Sequence, residues 1–191
     1  MPNEWNNYTS ESIEKFLLDA GAYYKNVTID TATGAFEGTL FGVTKGGGEF
    51  SCVPEIRTIE FDGKRFDTVG DKIIDKWTIK LTANLMEMTK ENLKDALGAA
   101  TIDGATNTAY DVIKLRSSYE TADYIQNVAY VGRKSDNTPV IIVIDNALAT
   151  GGVTIKTSDK SEAVLPVTFL AHAEGQEATD VPVKIYIKKA A

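Results

Sequence analysis

The run from Ile73 to Glu87 alternates strictly between apolar and polar side chains. Trp77, Ile79, Leu81, Ala83 and Leu85 fall on one side, and Lys76, Thr78, Lys80, Thr82 and Asn84 on the other. A period of two places successive side chains on opposite faces of an extended chain, so this run reads as a strand with one dry and one wet face. It is far longer than the usual strand of about 5–6 residues. A strand of that length needs antiparallel partners, which commits the chain to a β architecture.

Further strand signals surround it. Gly21 to Ile29 carries Tyr23, Tyr24, Val27 and Ile29, and Phe50 to Phe61 ends at the turn dipeptide Asp62-Gly63. Tyr110–Arg116, Tyr124–Arg133, Pro139–Asp145, Ala163–His172 and Val181–Lys188 follow, separated by polar turns. Val140 to Ile144 is apolar on both faces and reads as a central strand, while Pro166 and Pro182 place the last two near an edge or a strand start. One helix is evident: Thr89 caps it, Leu93, Ala96 and Leu97 form its apolar stripe, and Gly98 ends it. A helical turn over Ser10–Asp19 is also expected, with Ile13, Phe16 and Leu17 on one side. The tally is seven to nine strands and one or two helices. That predicts a single mainly β domain over residues 1–191, with two packed antiparallel sheets (a sandwich or partly open barrel) flanked by a short helix. Phe61–Asp71 and Ala99–Ala109 are the longest irregular stretches, giving long loops at about 61–72 and 99–109. Loops of this length tend to be functional.

Several function classes fall away on composition. Twenty Lys+Arg against 27 Asp+Glu leave a net charge of −7, the wrong sign for a protein that grips phosphates. Trp5, Trp77 and the tyrosines are not interleaved with basic residues, as a single-strand nucleic-acid platform requires. Cys52 is the only cysteine, so an intrachain disulfide is impossible. The polar start, Met1 to Asn7, and the lack of any long apolar run predict no signal peptide and no transmembrane helix. Synthesis in a cytoplasm is therefore expected, and the sequons at Asn7 and Asn26 carry no weight.

Catalytic constellations are missing as well. His172 is the only histidine and reads as an edge residue of a strand rather than a metal ligand. Cys52 has no histidine near it and reads as a buried thiol. Lys45-Gly46-Gly47-Gly48 lacks the spacing of a phosphate-binding loop, and no helix follows it, so a mobile or tightly turning loop is the better reading. Glu60/Asp62 and Glu174/Glu177 show no sign of the desolvating pocket that paired catalytic carboxylates need. Neither an enzyme nor any cofactor or metal site is expected.

From Leu40 to Gly98 the chain resembles the major tail proteins, or tail tube proteins, of long-tailed phages and related prophages. The resemblance is carried by Phe41-Gly42-Val43-Thr44-Lys45-Gly46-Gly47, Phe50, Pro54-Glu55-Ile56-Arg57 and Ile59-Glu60-Phe61-Asp62-Gly63. Trp77, Leu81, Asn84-Leu85, Glu87 and Thr89 continue it up to the helix. Asp19-Ala20-Gly21-Ala22-Tyr23, Ala147-Leu148-Ala149-Thr150-Gly151-Gly152 and Lys160-Ser161-Glu162-Ala163 extend it to most of the chain. Order and spacing carry it rather than any single motif, and Val69-Gly70-Asp71 departs from the basic turn expected there.

The resemblance implies a structural subunit of a virion tail: hexameric rings that stack into a hollow tube, with a lumen that conducts DNA without specific binding. It implies partners in further copies of itself, a tape-measure protein and a tail terminator, and none in a membrane. Long loops would reach between subunits and between rings. Asp62, Gly63, Lys64, Arg65, Phe66 and Asp67 become the candidate inter-subunit loop, with Lys64 and Arg65 set to meet a neighbour's acids. Lys76, Thr78, Lys80, Thr82 and Asn84 become the candidate lumen face, the outer surface being the equal alternative. The net charge suggests an electronegative bore. A terminator or secretion-system tube protein is the alternative within related folds, and a small-ligand β-barrel the alternative from another class.

Overall fold

A computed structural model describes residues 10–175 and 179–189; Trp5, the sequon at Asn7 and Glu177 lie outside the described residues. A short helix α1 (Ser10–Glu14) precedes β1 (Leu17–Ile29), β2 (Phe36–Leu40), β3 (Thr44–Thr58) and β4 (Lys72–Leu85). Helix α2 (Lys90–Leu97) leads to β5 (Ala100–Asp103), β6 (Val112–Leu115), β7 (Ile125–Lys134), β8 (Pro139–Ala149), β9 (Leu165–Leu170) and β10 (Val183–Ile187). The mainly β class, two packed layers and the capped helix are as expected.

All strand pairs are antiparallel. Seven strands run β2-β1-β7-β8-β9-β4-β3, with β10 added beside β8 and β5-β6 forming a separate ribbon. β8 is the spine. Along one edge it pairs with β7 from Pro139 to Ala147; along the other, β10 covers Val140–Ile144 and β9 covers Leu148–Ala149. The change of partner falls at Asn146, whose φ is +47°. Asparagine tolerates this left-handed conformation better than most residues, and here it breaks the strand so that the sheet folds over on itself. The halves enclose one core of Tyr23, Val128, Tyr130 and Ile144 from one side and Ile79, Leu81, Leu85, Leu165, Val167 and Phe169 from the other. The barrel does not close, because β2 and β3 do not pair.

Several boundaries differ from the sequence reading. α1 covers only five residues and β1 begins at Leu17 rather than Gly21; Ile13, Phe16 and Leu17 remain exposed, so no core contact extends the helix. β2 was not expected, since its burial follows no clean alternation. The Ala99–Ala109 stretch is not wholly irregular, because β5 pairs with β6 there. The strand total among the described residues is therefore ten. The glycine run is not a free loop: β3 starts at Thr44, and Gly46 and Gly47 form a bulge at φ +79° and +68°.

Helix α2 is fixed at its N-terminal end. Thr89 accepts the Asn92 amide at 3.1 Å. The buried Asn92 side chain then donates to the carbonyls of Phe41 at 2.7 Å and Glu87 at 3.0 Å, tying the helix to the sheet. Asn127 plays a similar role in β7: its Oδ1 accepts the Val27 amide at 2.6 Å and its Nδ2 donates to the Val27 carbonyl at 3.0 Å. These bonds satisfy the backbone next to Asn26, a β1 bulge residue at φ +55°. Asn127→Ala strands both Val27 groups without partners. The expected loss is about 3 kcal/mol of unfolding free energy, read from urea titration; a loss below about 1 kcal/mol contradicts this role.

Candidate assembly surface

The site grows from the long alternating strand. β4 pairs with β9 only from Lys80 onward, whereas its pairing with β3 continues to Lys72. Beyond Lys80 toward the tip, β3 and β4 are a two-stranded ribbon with no third strand beside it among the described residues. An isolated ribbon of this kind is marginally stable in water, yet it carries Val53, Ile56, Ile73, Ile74 and Trp77, all at least a third exposed. Arg57 and Asp75 bridge it at 3.0 Å. At its end sits the loop containing Phe61, Phe66 and Val69, which are 60%, 81% and 108% exposed.

The tip has a defined shape. Lys64 lies at its centre, with its side chain only 5% exposed. Its Nζ bonds the Asp71 carboxylate at 2.8 Å and the Ile59 carbonyl at 3.0 Å, with Asp67 at 3.4 Å and Glu60 at 3.6 Å. The Asp71 carboxylate also accepts the Thr68 amide at 2.8 Å. Lys72 Nζ bonds Asp67 at 2.6 Å and Thr58 Oγ1 at 2.8 Å. The Ile59 amide donates to the Asp71 carbonyl at 2.8 Å and closes the loop's base.

Of the loop residues singled out in the sequence, Asp62, Gly63, Arg65, Phe66 and Asp67 are exposed. Lys64 is not: its ammonium is used internally, and it shapes the loop rather than presenting charge outward. Arg65 has no ion-pair partner among the described residues and remains available. Sequence alone could not distinguish these adjacent cations, because the difference is made by Asp71 at the far end of the loop.

The hydrogen bond to Lys64, followed by that from Thr68, holds the Asp71 carboxyl below its ordinary value; the same contact to Asp71 holds the Lys64 ammonium above its own. A depressed carboxyl contributes stability above its unfolded value of about 3.9 and loses it as pH falls through the lower folded value. A raised lysine contributes below its unfolded value of about 10.4 and loses it as pH rises through the higher folded one. The tip is thus expected to hold its shape between about pH 4 and pH 10 and to loosen outside that window. The Thr68 amide resonance reports it. At pH 7, Asp71→Asn is expected to speed tryptic cleavage after Arg65; unchanged cleavage contradicts the latch.

The candidate lumen residues share one face. Lys76 lies opposite Glu55, Thr78 opposite Val53, Lys80 opposite Ser51, and Thr82 opposite Glu49 and Thr168; Asn84 faces Pro166. Lys76 and Lys80 are exposed, and Thr78, Thr82 and Asn84 are half-buried. Thr82 and Thr168 join through their hydroxyls at 3.1 Å. The opposite face, Ile79, Leu81, Ala83 and Leu85, is buried. The two lysines are balanced by Glu49 and Glu55, so this face is charge-neutral. The electronegative bore expected from net charge finds no source on it.

Residues first read as possible chemistry have structural surroundings. His172 lies just beyond β9, with its Nδ1 3.1 Å from the Asn146 carbonyl and its ring edge-on to Tyr124. Cys52 is partly buried against the core. Glu60 and Asp62 are exposed at the ribbon tip. No group of His, Cys, Asp and Glu side chains among the described residues is placed to hold a metal ion. No protein-family model matches the sequence, and no curated protein matches it.

Proposed function

We propose that this chain is the repeating structural subunit of a phage-type tail tube, without catalysis of its own. Copies join side by side into rings, six by the family resemblance, and the rings stack into a tube. DNA passes through it without specific binding, a tape-measure protein occupies it before ejection, and a terminator closes it; its place is the virion tail. The observation that carries the reading is the β3–β4 ribbon, which extends from the body with no third strand among the described residues and ends in an internally latched tip that exposes Phe61, Phe66 and Val69. A shape fixed at the cost of exposing Phe61, Phe66 and Val69 makes sense when another surface covers them.

Open strand edges support the lateral half of the proposal. Among the described residues, β2, β3 and β10 each have a hydrogen-bonded strand neighbour on one side only. Exposed edges template association with other chains, and a ring of identical subunits satisfies them without open-ended aggregation. β10 also exposes Ile185 and Ile187. Negative-stain microscopy of concentrated protein tests the reading. Rings stacking to indefinite length are expected. Rings that never stack point instead to a terminator-like component, and a strictly monomeric protein removes the proposal.

A further inference from the structure

We infer that Asp62 is a self-modification site: its side chain closes onto the Gly63 amide, and the succinimide so formed opens to isoaspartate. The inference concerns the single chain in solution and stands whether or not the chain builds a tube. The sequence holds two Asp-Gly pairs, Asp62-Gly63 and Asp103-Gly104, and no Asn-Gly pair. The fold treats the two pairs in opposite ways.

The reaction needs a carboxyl able to turn back on its own chain and a following amide that is not engaged. Gly63 N attacks Asp62 Cγ and gives up its proton, and the carboxyl hydroxyl leaves as water. Water then adds to one of the two ring carbonyls. Opening at the Asp62 main-chain carbonyl leaves the backbone running through Cγ, one carbon longer; opening at the other restores aspartate. One water is lost and one regained, so the two steps need no oxidant, reductant or cofactor. Glycine in the second position presents no Cβ to obstruct the approach.

Asp62 meets each requirement. It is exposed, and its side chain makes no hydrogen bond or ion pair among the described residues. The Gly63 amide likewise donates no hydrogen bond there. The turn is closed by the Lys64 amide on the Phe61 carbonyl at 3.2 Å, the long end of the range for such a bond. Gly63 sits at φ +87°, and a Cβ placed on it would meet nothing within 4 Å, so the turn has room to swing.

Asp103 meets none of them. Its Oδ1 accepts the Ala105 and Thr106 amides at 2.9 and 3.1 Å, and its Oδ2 accepts the Thr106 hydroxyl and the Lys114 ammonium, each at 2.5 Å. Lys114 first, then Thr106, hold this carboxyl far below its ordinary value, which keeps it ionised and without a hydroxyl to lose. The Asp103 backbone is paired with Val112, and Asp111 Oδ1 stands 2.9 Å from where a Gly104 Cβ would be.

The test follows both pairs in one molecule. The full chain is aged for several weeks at physiological temperature and mildly acidic pH, with circular dichroism to confirm that it stays folded. It is then denatured and digested with trypsin, which releases residues 58–64 and 95–114 as separate peptides. Isoaspartate is read by enzymatic methyl transfer to isoaspartyl groups, and fragment ions place it within each peptide. It is expected to accumulate at Asp62 at least about 10-fold faster than at Asp103, the factor that one hydrogen bond to a charged group supplies. Ageing in urea, which releases the hold on Asp103, is expected to close the gap. No isoaspartate at Asp62, or equal rates at the two pairs in the folded chain, overturns the inference. A gap that persists in urea overturns it as well, since flanking sequence rather than the fold then selects the site.

Discussion

Deletion of residues 63–70 is expected to leave a folded chain that builds no tubes. The Ile59 amide already meets the Asp71 carbonyl at 2.8 Å, and Thr58 pairs with Lys72. After the deletion, Glu60, Phe61 and Asp62 connect the strands, a length that antiparallel hairpins commonly use. None of the removed residues belongs to a buried core cluster, so the melting temperature should change little. What disappears is Phe66, Val69 and the frame around Lys64. Burying two such side chains contributes about 3–5 kcal/mol, which corresponds to a rise of roughly 100- to 4,000-fold in the concentration needed for stacking. This experiment does not depend on which surface the tip docks against. Tubes of normal length from the shortened chain, seen by microscopy, remove the ribbon from any role in assembly.

The second large effect is expected at Gly48. A Cβ there would stand 2.0 Å from the Thr82 carbonyl oxygen and 2.1 Å from the Tyr23 hydroxyl. Neither neighbour has room to retreat. Thr82 lies in the middle of β4, between β3 and β9. Tyr23 is 2% exposed, its ring 5.5 Å from that of Tyr130, and burial pushes its hydroxyl up to about 12, so it stays neutral and fixed. The contact brings β1 against β3, where the sheet nearly closes. Gly48→Ala should therefore cost about 3 kcal/mol or more, a drop of roughly 6–12 °C in Tm for a chain of this size. Gly46→Ala is the matched control. Its nearest neighbour would be Asn84 Nδ2 at 3.9 Å, so only the strain of φ +79° remains, about 1–2 kcal/mol. Equal melting temperatures for the two variants contradict the close-approach argument.

Gly48 also shows where sequence reading fell short. A glycine run with no following helix lacks a phosphate-loop pattern, but whether it bends freely or makes room for Tyr23 depends on a residue 25 positions earlier in the chain. The same holds at Asn127, whose partner Val27 is 100 residues away. Lys64 and Arg65 are adjacent and chemically alike, yet Asp71 folds back onto the first and latches it, while the second has no ion-pair partner among the described residues. For Gly48 and Asn127 the deciding neighbour is distant in sequence, for Lys64 it lies across a loop of irregular shape, and no periodic pattern records any of them.

The β4 alternation was legible because period-two burial is a local property, written wherever a strand lies between water and core. Ile79, Leu81, Ala83 and Leu85 are buried as that pattern requires. The Thr89–Gly98 helix was legible for a similar reason, since caps satisfy backbone groups within a few residues. The doubly apolar Val140–Ile144 run likewise declared a central strand. What the tertiary structure alone decided is which edges stay open, where β8 changes partners at Asn146, and how far the ribbon outruns β9. Those features depend on where strands stop pairing, and that limit is imposed by the other strands rather than by the residues of the strand itself.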